Sequence, residues 1–201
     1  MRAELLIIFV KAPRPGTVKT RLAREIGEAA ACAAYCRMVN DLRSNLARLE
    51  PVEIRFTPDD ARKDVVQWLR PGWRLAPQGV GELGTRLQAA FAQAFASGSK
   101  RVVVIGSDCP TVTASDIELG WNELKAHDMV IGPAQDGGYW LIGLRSSCPR
   151  LFQEINWSTS TVLVETLKRA EAAGLKVKLM RQRSDIDSPA DWKEFLREAG
   201  G

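Results

Sequence analysis

A continuous run of strand-forming apolar residues, Glu4 to Val10 (ELLIIFV), stands near the start of the chain. From Leu5 onward it has no polar face to give to water, so it must be covered on both sides. The same signature recurs at Arg101 to Ile105 (RVVVI). Shorter strand patterns fall at Val52 to Phe56, Trp73 to Pro77, Asp128 to Ile131, Gly137 to Leu144 and Leu175 to Met180. Helical patterns lie between them: about Leu22 to Leu49, Thr57 or Asp59 to Leu69, Thr85 to Ala96, Thr113 to Lys125, Val162 to Ala172 and Ala190 to Ala199. Strands alternating with helices predict an α/β fold, a Rossmann-like, mostly parallel sheet sandwiched by helices. Ligands in such sheets bind beyond the carboxyl ends of the strands. The polar and glycine-rich segments fall where that rule puts them.

Composition narrows the classes of function. The 201 residues are 45% hydrophobic and 26% charged, which excludes a disordered chain. A chain of this length buries roughly 70% of its unfolded surface and needs no disulfide or metal to fold. It reads as a single domain, 1–201. The excess of 28 Lys+Arg over 24 Asp+Glu gives +4, scattered among acids. That suits a phosphate-bearing small ligand and argues against a nucleic-acid partner. No apolar run approaches the roughly 18 residues of a membrane span, and no cleavable signal pattern is visible. Cys32, Cys36, Cys109 and Cys148 read as reduced thiols, so a cytoplasmic protein without a membrane partner is expected. His127, the single histidine, reads as structural.

Six segments can carry chemistry. In Lys11-Ala-Pro-Arg-Pro-Gly16-Thr-Val-Lys19-Thr-Arg21, Gly16, Lys19 and Arg21 lie between a buried strand and a helix start. Backbone N–H groups at such a start, with cations beside them, suit a diphosphate. A Walker A loop is excluded, because Val18 and not glycine precedes Lys19. In Gly106-Ser-Asp108-Cys-Pro110 an aspartate follows a buried strand, placed to hold Mg²⁺ or Mn²⁺ between protein and phosphate oxygens. Asp185-Ile-Asp187-Ser-Pro-Ala-Asp191 combines a helix cap with two acids flanking Ile186, one a candidate second metal ligand. Gly132 to Trp140 holds Asp136, the Gly137-Gly138 pair and Tyr139, read either as a hairpin turn or as a ligand-facing loop. Gly79 to Arg86 is glycine-rich, with Gly84 and Arg86 able to close over a base or phosphate. Trp157 precedes a Ser/Thr cluster that also suits a helix cap.

In this order, KAPRPGTVKTRL, G-x-L-G-x-R, GSDCP, GPAQDGGYWLIGL, W-S-T and DIDSPAD resemble the DUF2064 family of bacterial nucleotide-diphospho-sugar transferase-like proteins. The resemblance implies the glycosyltransferase A fold. It implies that Lys19 and Arg21 meet a diphosphate, with Lys11, Gly16, Gly84, Arg86 and Trp157 around the substrate. Asp108 would be the metal-binding acid, in a G-x-D form in place of D-x-D, with Asp185 and Asp187 as distal metal contacts. Asp136, Gly137, Gly138 and Tyr139 would line the sugar or acceptor pocket, Asp136 as base. The expected activity is sugar transfer from a nucleotide-sugar donor to a small-molecule acceptor, assisted by Mg²⁺ or Mn²⁺. The Pro-rich first loop, lacking G-G-x-G-x-R, favours it over the alternative, nucleotidyl transfer from a nucleoside triphosphate with release of diphosphate. A non-catalytic nucleotide-binding module is the third reading.

Overall fold

The computed structural model describes residues 3–199. Seven strands form one sheet: β1 (Glu4–Lys11), β2 (Val52–Thr57), β3 (Trp73–Pro77), β4 (Arg101–Ile105), β5 (Met129–Pro133), β6 (Tyr139–Leu144) and β7 (Val177–Leu179). Their order is β3-β2-β1-β4-β6-β5-β7. All run parallel except β6, which is antiparallel to both β4 and β5. The expected mostly parallel α/β sandwich is therefore the fold. β1 is an interior strand between β2 and β4, and Leu5 to Val10 are all buried, as a strand without a polar face requires.

The α-helices among the described residues are α1 (Thr20–Ile26), α2 (Glu28–Asn45), α3 (Arg62–Val65), α4 (Leu83–Ala96), α5 (Ala114–Glu123), α6 (Val162–Ala172) and α7 (Pro189–Ala199). One apolar layer packs the sheet against α2 and α5 through Tyr35, Val39, Leu42, Ile117 and Trp121. The other packs it against α4 and α6 through Leu87, Phe91 and Ala170. Helix α7 closes on α2 through Met38, Ile186 and Phe195. Among the described residues no helix is long and apolar enough to cross a membrane.

Three local expectations are corrected. The helix expected over Leu22 to Leu49 is two helices, because Gly27 takes φ +86° and ψ 156° between Ile26 and Glu28. Thr57 ends β2 and starts no helix. Asp59 accepts a hydrogen bond from the Gly79 backbone instead of capping, and the helix there shrinks to α3 and a 3-10 turn, Val66–Trp68. The later strand begins at Tyr139, leaving Gly137 and Gly138 in the turn. Thr113 caps α5 with a full capping box to Asp116.

The chain runs β1 to β3 in one direction and then returns to place β4 on the other side of β1. That reversal is the topological switch point, where open sheets of this kind bind ligands. The loops after β1 and β4 face each other across it.

Candidate active site

Lys19 lies in the loop after β1 and holds φ +48°, the left-handed region, at the foot of α1. This conformation turns its side chain inward, and only 3% of it remains exposed. Its ammonium meets Asp108 Oδ1 at 2.5 Å and Asp187 Oδ1 at 2.9 Å, and donates to the Ile186 carbonyl at 2.5 Å. Asp108 follows β4, and Asp187 lies between β7 and α7. Three distant segments thus converge on one cation. Burial pulls the Lys19 pKa down, but the two carboxylates outweigh it, and the net shift is upward. Lys19 stays charged.

The Asp187 segment is fixed on both sides. Ser188 and Asp191 cap α7, with Asp191 Oδ2 accepting from the Ser188 and Asp187 backbone N–H groups at 2.7 and 3.1 Å. The Ile186 N–H donates to the Asp108 carbonyl at 3.0 Å. Upstream, Asp116 takes Arg181 at 2.8 Å and Arg183 at 2.5 Å, and Arg183 stacks over Trp140. Arg181 and Arg183 alternate just before the acidic segment, a signal that sequence reasoning passed over.

Asp185 is held by a different partner from Asp187. Its Oδ1 accepts from the Cys109 thiol at 2.8 Å. Burial pushes the Asp185 carboxyl up to about 6; the Cys109 hydrogen bond opposes this, and Asp108, Asp136 and Asp187 add to it. Burial also pushes the Cys109 thiol well up.

Tyr35 was missed. It reaches from α2 to receive the Lys11 backbone N–H at 2.8 Å and to share a hydrogen bond with Ser107 Oγ at 2.9 Å. It ties the end of β1 to the residue before Asp108. Nothing in the Ala-rich helix around it signals this role.

The remaining predicted residues scatter. The Lys11 side chain is exposed at the end of β1, and Arg21, 75% exposed, has a guanidinium nitrogen 3.9 Å from Asp187. Gly16 takes φ +80° in the turn between them. Because α1 spans only seven residues, side chains and not a long helix terminus supply the positive charge here. Arg86 is engaged with its own loop, donating to the Gly81 carbonyl at 2.7 Å. Gly84 lies inside α4, where an added Cβ would stand 2.6 Å from both the Phe152 carbonyl and Trp157 Nε1. Trp157 therefore packs against this glycine. Tyr139 does not line a pocket: its phenol is buried beside Thr166, on the α6 side, and burial pushes its pKa up. Asp136 is exposed and accepts from the Gly138 N–H at 2.9 Å, holding its own turn. Gly137 takes φ +88° and approaches Ser160 closely, and its carbonyl accepts from Leu163 N–H at 2.9 Å. His127 Nδ1 lies 3.0 Å from the Glu123 carbonyl at the end of α5, a structural contact.

The donor set has the chemistry of a hard divalent cation. Among the described residues no three His, Cys, Asp or Glu side chains form a ready-made cage. Mg²⁺ commonly uses one or two carboxylates and completes its shell with substrate phosphates and water. Asp108 and Asp187 already share one cation, the Lys19 ammonium, so a single ion can reach both.

A solved structure from Desulfovibrio desulfuricans G20, whose name assigns it provisionally to the nucleotide-diphospho-sugar transferases, superposes with a TM-score of 0.93. It is 36% identical, with 98% of this chain and 88% of that one covered. Fold and site thus define a transferase with the nucleotide-diphospho-sugar transferase-like fold. The family model described as "Uncharacterized protein conserved in bacteria (DUF2064)" matches residues 42–159, and the chain belongs to that family.

Two curated relatives bear on the reaction. A 2-phospho-L-lactate guanylyltransferase from Methanocaldococcus vulcanius is 24% identical over 195 residues, 95% of this chain and 84% of the relative. A 3-phospho-D-glycerate guanylyltransferase from Phenylobacterium zucineum is 30% identical over 120 residues, covering 55% of this chain and 53% of the relative. These findings correct the expectation of sugar transfer from a nucleotide-sugar donor, since both relatives are named for moving a guanylyl group. The physical reason is that both chemistries need the same cations and carboxylates around a diphosphate. The glycine count of the first loop does not choose between attack at a sugar carbon and attack at phosphorus.

Proposed function

We propose that this chain, as one domain, is a nucleotidyltransferase. A phosphate oxygen of a small phosphorylated acceptor attacks the α-phosphorus of a nucleoside triphosphate. The new P–O bond forms as the bond between the α-phosphorus and the bridging oxygen breaks, and its electron pair leaves with diphosphate. The acceptor phosphate is already ionised near neutral pH, so no general base is needed, and Asp136 is assigned no proton. The observation that carries this reading is the likeness to two guanylyltransferases, and the convergence of Lys19, Asp108 and Asp187 at the switch point supports a phosphate and metal site there.

Lys19 and Arg21 come from the loop after β1 and its helix, and they neutralise the departing diphosphate. Asp108 and Asp187 would hold Mg²⁺ or Mn²⁺, which supplies charge stabilisation on the phosphate oxygens. The Cys109 thiol and the Arg181–Asp116–Arg183 network keep the acidic segment in place. The relatives' names support GTP as the first nucleotide to test and a short phosphorylated carboxylic acid as acceptor.

The test is a coupled assay for inorganic diphosphate with each of four nucleoside triphosphates, Mg²⁺, and 2-phospholactate, 3-phosphoglycerate or phosphoenolpyruvate. Acceptor-dependent diphosphate release is expected, with a product carrying a new diphosphate linkage by ³¹P NMR. Asp108→Asn should lower the rate by about 10²-fold or more. No release with any pair, or release that needs no acceptor, overturns the reading.

A further inference from the structure

The environment of Lys19 is that of a bound cation, not of a surface lysine. Three oxygens from two separate segments surround the ammonium at 2.5, 2.5 and 2.9 Å, and 3% of the side chain is exposed. A lysine waiting only to greet a phosphate would extend into solvent, as Arg21 does. Instead the backbone adopts φ +48°, a conformation that costs a non-glycine residue energy, while the ammonium is held between two carboxylates. Two carboxylates converging without a cation would repel each other.

We propose that Lys19 is a resident cation for the Asp108–Asp187 pair, holding both carboxylates together until a divalent ion takes its place and frees it for the nucleotide's phosphates. This rests on the reading of Asp108 and Asp187 as the divalent-ion ligands. The ammonium and a doubly charged ion cannot share the same oxygens, so their occupancies exclude each other. Without nucleotide, a metal must evict Lys19 with nothing to receive it, and metal binding is weak. With a triphosphate present, the evicted ammonium gains new oxygen partners. Metal and nucleotide then strengthen each other's binding, and the coupling is reciprocal. Lys19 so acts as a positioning residue in one state and a phosphate contact in the other.

The proposal is tested by Mn²⁺ titration of the nucleotide-free protein, read by electron paramagnetic resonance. Lys19→Met, which keeps length and removes charge, should bind Mn²⁺ at least about tenfold more tightly than the wild type, a difference of about 1.4 kcal/mol. Adding Asp108→Asn to Lys19→Met should abolish that gain. Equal or weaker Mn²⁺ binding by Lys19→Met overturns the proposal.

Amine-acylation footprinting of the wild-type protein gives a second reading that needs no variant to fold. Lys19 should be protected without metal and become several-fold more reactive in saturating Mn²⁺ alone. Protection that persists in saturating Mn²⁺ overturns the proposal. The two readings fail separately: diphosphate release without this Mn²⁺ behaviour removes only the resident-cation role. The Mn²⁺ behaviour without diphosphate release removes only nucleotidyl transfer.

Discussion

At the scale of single residues, the candidate site depends on side chains outside the Lys19–Asp108–Asp187 cluster. Tyr35 is the clearest. Its ring is fully buried and packs edge-on against Trp68, with centroids 6.0 Å apart. Burial pushes its pKa up, so the phenol stays protonated. Its hydroxyl serves the Lys11 N–H and the Ser107 hydroxyl together. Tyr35→Phe keeps the packing and strands both groups. Leaving a buried polar group unpaired costs about 1–3 kcal/mol. Urea denaturation should show a loss of that size, and the diphosphate-release rate should fall, because Ser107 adjoins Asp108. Cys109 acts similarly from the other side of Asp108, through its thiol bond to Asp185.

At the scale of elements, the first turn of α4 shows how tertiary contact overrides local preference. Glycine inside a helix is unfavourable by about 1 kcal/mol relative to alanine. Propensity alone therefore makes Gly84→Ala stabilising. The geometry reverses the sign, because the new methyl would stand 2.6 Å from the Phe152 carbonyl and from Trp157 Nε1. Overpacking of this kind costs about 1–3 kcal/mol. Gly84→Ala should therefore melt lower than the wild type in a thermal scan, and the loop that carries Trp157 should become more open to proteolysis. Gly27 is the opposite case: it breaks a helical pattern at φ +86°, and a Cβ there would meet no neighbour. The barrier at that position is backbone conformation alone.

At the scale of the molecule, three parts of the chain are locked by Asp116. It lies in the first turn of α5, bonds Thr113 at the end of the loop that carries Asp108, and pairs with Arg181 and Arg183 from the segment leading to Asp187. Burial alone raises its pKa. The Thr113 hydrogen bonds and the two guanidiniums overcome that, and the net shift is downward. A carboxylate whose pKa is depressed on folding contributes stability above its unfolded pKa, about 3.9, and loses it as pH falls through the folded value. Asp116→Asn should therefore be less stable than the wild type at pH 7. Chemical denaturation at successive pH values should show the gap narrowing below about pH 4. The same variant should slow diphosphate release, since it loosens the segment that presents Asp187.

How much of this was legible in the sequence follows the range of the interactions. The seven strands and the capped turn before α7 were readable, because each depends on neighbours a few residues apart. The alternation of elements fixed the sandwich, because a strand like Leu5–Val10 has to be covered on both faces. Lys19, Asp108 and Asp187 could each be nominated from a local motif. That one ammonium joins the two carboxylates could not, because those contacts span up to 168 residues. They exist only through the reversal of strand order between β1 and β4 and the docking of α7 on α2. Tertiary structure also decided that Tyr139 faces the core, that Trp157 covers a glycine and that Asp185 meets a thiol. A sequence specifies which groups are present and how each is presented locally. Which of them share one cation is set by where the sheet and its crossovers carry them.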